Sequence, residues 1–286
     1  MDQQLSVRSA LHNTILLLTP AYGRGEAAAI THILLEWLTG KSRLQILTEP
    51  EVLLPKSMEI RLHDAIEKLL AGTPIQYITG TQQFLDLEIA VSPHVLIPRP
   101  ETEELVLWAC RDYASQKQLK ILDIGTGSGC IALAMKHHFP DALVTALDKS
   151  PNALAQAKAN ASRLELDIHM QEGDILEMHN QPVTKTYDII LSNPPYIPLL
   201  EKATLDKHLS AEPDMALFVP DKDPLLFYKA IALFAASHLA PRGAVYVETH
   251  RDYAAEVEQL FQKHQFLSTQ IRYDMHGAPR MVKASK

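Results

Sequence analysis

Leu119-Lys120-Ile121-Leu122-Asp123-Ile124-Gly125-Thr126-Gly127-Ser128-Gly129-Cys130 reads as a strand, a glycine-rich turn and the entry to a helix. The run from Leu119 to Ile124 is largely apolar, as expected of a strand covered on both faces of a parallel sheet. Ile131, Leu133, Ala134 and Met135 then carry a helical pattern. Glycines let the backbone approach a ligand closely, and a helix N-terminus behind them completes a nucleotide-type cradle. The spacing is informative. A dinucleotide fingerprint needs Gly-x-Gly-x-x-Gly, whereas here the glycines stand at 125, 127 and 129.

Downstream, strand and helix patterns alternate. A second strand, Ala142 to Leu147, ends at Asp148, placed to accept the two ribose hydroxyls of an adenosine. Such an acid serves NAD and S-adenosylmethionine sites alike. Ser150-Pro151-Asn152 caps a helix running to Asn160. A third strand near Leu166 to Gln171 leads into Glu172-Gly173-Asp174-Ile175. There Asp174 and Ile175 suit an adenine amino group and ring face, the plain alternative being a solvated loop aspartate. Later patterns predict a helix over 224–238, a strand over 244–248, a helix over 253–264 and two terminal strands. The alternation predicts a doubly wound α/β sheet.

The fourth strand carries the second chemical motif, Tyr187-Asp188-Ile189-Ile190-Leu191-Ser192-Asn193-Pro194-Pro195-Tyr196. The strand must stop at Asn193, because the two prolines donate no N–H to a ladder. Asn193 precedes a proline, so its backbone is pushed towards an extended conformation. Its side-chain carbonyl and the Pro194 backbone carbonyl can then point the same way, with the Tyr196 ring beside them. Two acceptors and an aromatic face suit a planar group bearing NH2. Hydrogen bonds from that group to fixed carbonyls orient a poor nucleophile and stabilise the charge it gains on attack. The plain alternative is an Asx or proline turn. The connection from Asn193 to Pro220 is long and includes Glu212-Pro213, and long loops in compact domains are usually functional.

Upstream, residues 1–80 read as a small helical domain. A helix from Leu5 to Leu18 is expected to stop at Pro20 and the turn Tyr22-Gly23-Arg24-Gly25. A second shows apolar spacing at Ile30, Ile33, Leu34, Trp37 and Leu38 and ends at Gly40. A third, Ser57 to Leu70, buries Leu62, Ile66, Leu69 and Leu70, with Gly72 past its end. His32 and His63 read as surface or satisfied helix residues rather than ligands. Thr73 to Gly80 reads as a turn-rich joint. Phe84, Leu87, Ile89 and Val91 give a hairpin within a linker over 81–98, ahead of a catalytic domain over 99–286. In Val95-Leu96-Ile97-Pro98-Arg99-Pro100-Glu101-Thr102-Glu103, the prolines fix Arg99, and Glu101 or Thr102 begins a helix. This segment is expected across the mouth of the cofactor site.

The 286 residues, 47% hydrophobic and 21% charged, are those of an ordinary globular protein. The formal charge of −7 disfavours a protein whose main affinity comes from neutralising phosphates. Two cysteines, Cys110 and Cys130, form neither a metal-ligand pattern nor a disulfide framework. With no signal-peptide pattern and no run of membrane-spanning length, the expected location is the cytoplasm.

Taken together, the motifs resemble those of the release factor glutamine methyltransferase family. They are Gly72-x-Pro74-x-Gln76-Tyr77-Ile78-x-Gly80, the Val95-Leu96-Ile97-Pro98-Arg99-Pro100-Glu101-Thr102-Glu103 segment, the Leu122–Gly129 turn, Ser192-Asn193-Pro194-Pro195-Tyr196-Ile197, and Glu212-Pro213 with Ala216-Leu217. The Arg-Pro-Glu-Thr-Glu piece is the most diagnostic; the related family acting on a ribosomal protein has Arg-Ser-Pro there. The Asn-Pro-Pro-Tyr box is shared with enzymes that methylate exocyclic amines of DNA bases. The resemblance implies a Rossmann-like class I methyltransferase sheet, mostly parallel with an antiparallel terminal strand. It implies S-adenosylmethionine held by Gly125, Thr126, Gly127, Ser128, Gly129, Asp148, Asp174, Ile175 and Asn193. It implies a substrate amide held by Asn193, Pro194, Pro195 and Tyr196, with Asn193, Pro194 and Tyr196 catalytic, and no metal. The implied substrate is the Gly-Gly-Gln glutamine of peptide chain release factors, gripped partly by the helical domain. The implied protein is a monomer that binds neither nucleic acid nor membrane. Other protein glutamines or DNA base amines are the alternative substrates. Where many members carry an aromatic residue after the third-strand acid, this chain has Ile175.

Overall fold

The computed structural model describes residues 4–178, 185–204 and 209–286. The chain divides into two units, Met1–Gly80 and Thr81–Lys286.

The first unit is helical: α1 (Val7–Thr39), α2 (Arg43–Thr48), α3 (Lys56–Leu70) and α4 (Ile75–Thr79). Ser6 caps α1 by accepting from the Ser9 N–H at 3.2 Å. The break falls inside the expected turn, as a kink at Gly23 with φ 72° and ψ 159°, but Pro20 sits within α1 instead of ending it. Proline removes one ladder bond but keeps helical φ, whereas the Gly23 dihedrals leave the helical region altogether. The Tyr22 hydroxyl donates to the Leu69 carbonyl at 2.9 Å, holding the kink against the end of α3. Gly40 ends the helix in the left-handed conformation, as its position predicts. Leu62, Ile66 and Leu69 are buried in this unit's core, but Leu70 is 51% exposed. On a helix of 3.6 residues per turn, position 70 lies about 100° round from 69 and off the buried stripe. His63 is exposed and faces Glu67, whereas His32 is buried with its Nδ1 unpartnered among the described residues. The expected joint at 73–80 contains α4.

The second unit starts with the hairpin β1 (Thr81–Phe84) and β2 (Leu87–Ala90), whose Phe84, Leu87 and Ile89 are buried. Then follow α5 (Pro100–Asp112), β3 (Lys120–Ile124), α6 (Cys130–His138), β4 (Leu143–Asp148), α7 (Pro151–Arg163), β5 (His169–Glu172) and α8 (Ile175–Met178). The chain continues through β6 (Tyr187–Ser192), β7 (Ile197–Pro198), α9 (Asp214–Leu217), β8 (Phe218–Val219), α10 (Leu226–His238) and β9 (Leu239–Glu248). It closes with α11 (Ala254–Lys263), β10 (Ser268–Tyr273) and β11 (Pro279–Ser285). The third strand starts later and the β9 strand earlier than their apolar runs suggest.

Seven strands form one sheet in the order β10-β11-β9-β6-β3-β4-β5. From β9 to β5 all neighbours are parallel, and β11 is antiparallel to both β9 and β10. The central strands are buried on both faces, and one face packs Tyr228, Ile231 and Phe234 of α10 against Leu122, Ile190 and Val245. Parallel strands bring their carboxyl ends to one edge. Ser192 is level with Val247 and Ile124, and Ile124 is level with Leu147. The residues just beyond those positions therefore meet at a single crevice. The expected long connection after Asn193 is partly ordered by short 3-10 turns and the parallel β7–β8 pair.

Candidate active site

A cavity of about 340 Å³ opens at this edge. The glycine-rich turn forms its floor. The Gly125 and Thr126 N–H groups both donate to the Leu147 carbonyl, at 2.8 and 3.0 Å, which folds the turn over the end of β4. Beneath it, the fully buried Asp123 accepts from the Thr126 hydroxyl at 2.6 Å and the Ala132 N–H at 3.1 Å through Oδ2. Burial pushes the Asp123 carboxyl up to about 7. Gly127 has φ +55°, and a Cβ there meets no protein atom within 4 Å, so the space before it belongs to the cavity. Gly129 is different. Its φ is +85° and an added Cβ would lie 3.1 Å from the Ala157 Cβ, so this glycine lets α6 pack closely against α7. It does not line the cavity.

Asp148 stands at the end of β4. Its Oδ2 accepts from Gly127 N–H at 2.9 Å and its Oδ1 from Ser150 N–H at 2.8 Å. Burial nevertheless raises its pKa, with the backbone bonds opposing. Asp148 lines the cavity. Past β5, Asp174 accepts from Leu176 N–H at 3.0 Å and pairs with the Lys149 ammonium at 2.8 Å. Desolvation pushes Asp174 up, but Lys149 and the Leu176 N–H outweigh it and hold its carboxyl below the usual range. Ile175, 7% exposed, supplies an apolar wall. His94, Val95, Leu96 and Pro98 also line the cavity.

Asn193, Pro194 and Pro195 line the cavity beyond β6. Ser192 Oγ donates to the Ile124 carbonyl at 2.8 Å, fixing this strand end against the glycine turn. Asn193 Nδ2 donates to Thr102 Oγ1 at 3.0 Å, and Thr102 Oγ1 donates to Glu248 Oε2 at 2.6 Å. Tyr196 does not line the cavity; its hydroxyl donates to Glu248 Oε1 at 3.1 Å. Glu248, 1% exposed at the end of β9, thus ties the motif to the first turn of α5. Burial pushes its carboxyl up to about 7 and, with Glu248 nearby, raises the Tyr196 phenol far above its usual range. Nearby, the buried Glu212 accepts from Ile97 N–H at 2.9 Å and pairs with Arg99, joining the proline-rich segment to the long connection.

The crevice therefore gathers Gly125, Thr126, Gly127, Ser128, Asp148, Asp174, Ile175, Asn193, Pro194 and Pro195 around one cavity. Sequence reading gave no site role to Thr102, which lines the cavity, or to Glu248, which does not line it but accepts from Thr102 and Tyr196. The only signal for Thr102 was its place in the diagnostic segment. Cys110 and Cys130 are free and buried, and burial raises their thiols to about 11 and about 12. Among the described residues, no cluster of His, Cys, Asp or Glu could hold a metal ion. Among them, too, no helix is long and apolar enough to cross a membrane.

A parallel sheet with one reversed strand, a glycine-rich turn after β3 and an acid ending β4 define a class I methyltransferase. A methyltransferase-domain model matches residues 115–281, and the PrmC N-terminal domain matches residues 9–80. The chain is 39% identical to the release factor glutamine methyltransferase of Flavobacterium psychrophilum, over 94% of this chain and 95% of that one. It is 36% identical to the enzyme of that name from Bacteroides thetaiotaomicron, over 93% and 95%. A methyltransferase structure from Pyrococcus furiosus shares the fold at 17% identity and a TM-score of 0.50, covering 81% of this chain and 99% of that one. The chain belongs to the release factor glutamine methyltransferase family and is an enzyme of that kind.

Proposed function

We propose that the protein transfers a methyl group from S-adenosylmethionine to the side-chain amide nitrogen of the glutamine in the Gly-Gly-Gln motif of peptide chain release factors. The observation that carries this reading is the Asn193 carboxamide. Its nitrogen is occupied by Thr102, which leaves its oxygen to accept from a substrate NH2 in the cavity that also holds the glycine turn and Asp148.

The cavity suits the cofactor. Open space before Gly127 admits a ligand against the backbone, Asp148 offers two anchored oxygens to ribose hydroxyls, and Asp174 with Ile175 offers an acceptor and an apolar face to adenine. Bound there, S-adenosylmethionine supplies an electrophilic methyl group on a sulfonium sulfur. Asn193 Oδ1 and the Pro194 carbonyl accept from the two amide protons, orienting the nitrogen lone pair and stabilising the positive charge it gains. Both acceptors are fixed before substrate arrives, so little reorganisation accompanies the reaction. Tyr196 acts from behind, through Glu248. The formal charge of −7 favours a protein substrate over nucleic acid.

Mass spectrometry of a release factor incubated with the protein and S-adenosylmethionine tests this. The expected result is a gain of one methyl on the Gly-Gly-Gln glutamine that is lost with Asn193→Ala. An unmodified glutamine with the wild-type protein refutes the proposal.

A further inference from the structure

We propose that Glu248 is a positioning residue whose ionised carboxylate, acting through Thr102, sets which way round the Asn193 carboxamide faces. The inference rests on the reading above, that the Asn193 oxygen receives the substrate amide.

The hydroxyl of Thr102 has one proton. That proton goes to Glu248 Oε2 at 2.6 Å, a length proper to a hydroxyl on a charged acceptor. The remaining lone pairs of Thr102 Oγ1 only accept, and they accept from Asn193 Nδ2 at 3.0 Å. With its nitrogen turned to Thr102, Asn193 must turn its oxygen the other way. The second carboxylate oxygen is occupied by the Tyr196 hydroxyl at 3.1 Å, so an ionised Glu248 receives both hydroxyl protons and donates neither.

Protonation reverses the chain. A proton on Oε2 donates to Thr102, and the Thr102 proton is then released towards Asn193. The carboxamide meets that donor best by rotating its oxygen to Thr102, which turns its NH2 to the substrate. Two NH2 groups facing each other have no acceptor between them.

The surroundings place this change near neutrality. Thr102 and Glu101 face Glu248 from α5, Tyr196 from the loop after β6, Cys130 from the start of α6 and Arg280 from β11. Tyr228 of α10 donates to the Glu248 backbone carbonyl at 3.1 Å. Burial and Glu101 push the carboxyl up, while the two hydroxyls and Arg280 pull it down, leaving it at about 7. Ionised above that value and neutral below it, Glu248 supports turnover at alkaline pH and withdraws that support as pH falls.

The test is the pH dependence of release-factor methylation at saturating S-adenosylmethionine, for the wild type, Thr102→Val, Thr102→Ser and Glu248→Gln. The wild type is expected to lose kcat about tenfold per pH unit below about 7. Glu248→Gln, which has no proton to gain, is expected to lack that limb. Thr102→Val is expected to lower kcat roughly 10²-fold at alkaline pH with cofactor affinity unchanged by calorimetry, and Thr102→Ser to restore most of it. A flat wild-type profile overturns the inference, as does an unchanged acid limb in Glu248→Gln or a Thr102→Val enzyme within about twofold of wild type. If the wild type fails to methylate at any pH, the functional reading falls and this inference with it. If it methylates and only the variants disobey, the inference alone falls.

Discussion

The glycine-rich cradle and the Asn193 edge sit on neighbouring strands, β3 and β6, yet they are held in different ways. The cradle is organised by backbone groups: Gly125 and Thr126 on the Leu147 carbonyl, and Gly127 on Asp148. Its partners lie closer in the chain, Asp123 three residues from Thr126 and Asp148 21 from Gly127. The edge is organised by side chains brought from afar. Asn193 reaches Thr102 across 91 residues, Thr102 reaches Glu248 across 146, and Tyr196 reaches Glu248 across 52. In the cradle the donors are the backbone N–H groups of Gly125, Thr126 and Gly127, which side-chain truncation does not remove. A chain of single hydroxyl protons is reversible, so changing one group changes what Asn193 presents.

This contrast makes the two halves separable by mutation. The largest effect is expected from Asn193→Ala, which should lower kcat roughly 10²–10³-fold, as when one preorganised group is removed from a charge-stabilising site. Cofactor affinity should stay near that of the wild type, because the turn and Asp148 are untouched. Asp148→Ala should show the converse. Losing a charged acceptor for the ribose should weaken S-adenosylmethionine binding about 10–100-fold by calorimetry, with kcat at saturating cofactor little changed. If both variants lost affinity and turnover together, the two halves would be one unit and the contrast would be wrong.

The same contrast explains which parts of the site could be read in the sequence. The turn, Asp148 and Asn193-Pro194-Pro195 announce themselves because local chemistry fixes them: glycines with positive φ, an acid closing an apolar strand, prolines that forbid a ladder. Glu248 is a glutamate at a strand end like many others. Only the pairing of Ser192 with Val247 brings it behind the motif, and register between strands far apart in sequence has no local signal. A glycine in a fingerprint can serve ligand or packing, and at Gly129 the Cβ of Ala157 leaves little room for a side chain. In the helical unit, Pro20 and Leu70 show the limit of single-residue rules. A proline need not end a helix when a later glycine does, and an apolar residue one step from a buried stripe faces solvent.

The smallest expected effect probes an ion pair in the cradle's wall. Lys149 Nζ lies 2.8 Å from Asp174 Oδ2, but the lysine side chain is 65% exposed, so water and salt screen the pair. Asp174 also keeps the Leu176 N–H and the backbone of β5 and α8 to orient it. If backbone organisation dominates this half, Lys149→Ala should change S-adenosylmethionine affinity by less than about fivefold, and the change should shrink in high salt. The Asp174 carboxyl should titrate nearer its ordinary value, since the lysine is the larger of the forces drawing it down. A loss of affinity comparable to that of Asp148→Ala, persisting in high salt, would mean that a side-chain relay also governs the cradle. The division between a backbone-built half and a side-chain-built half would then fail where it is most exposed to solvent.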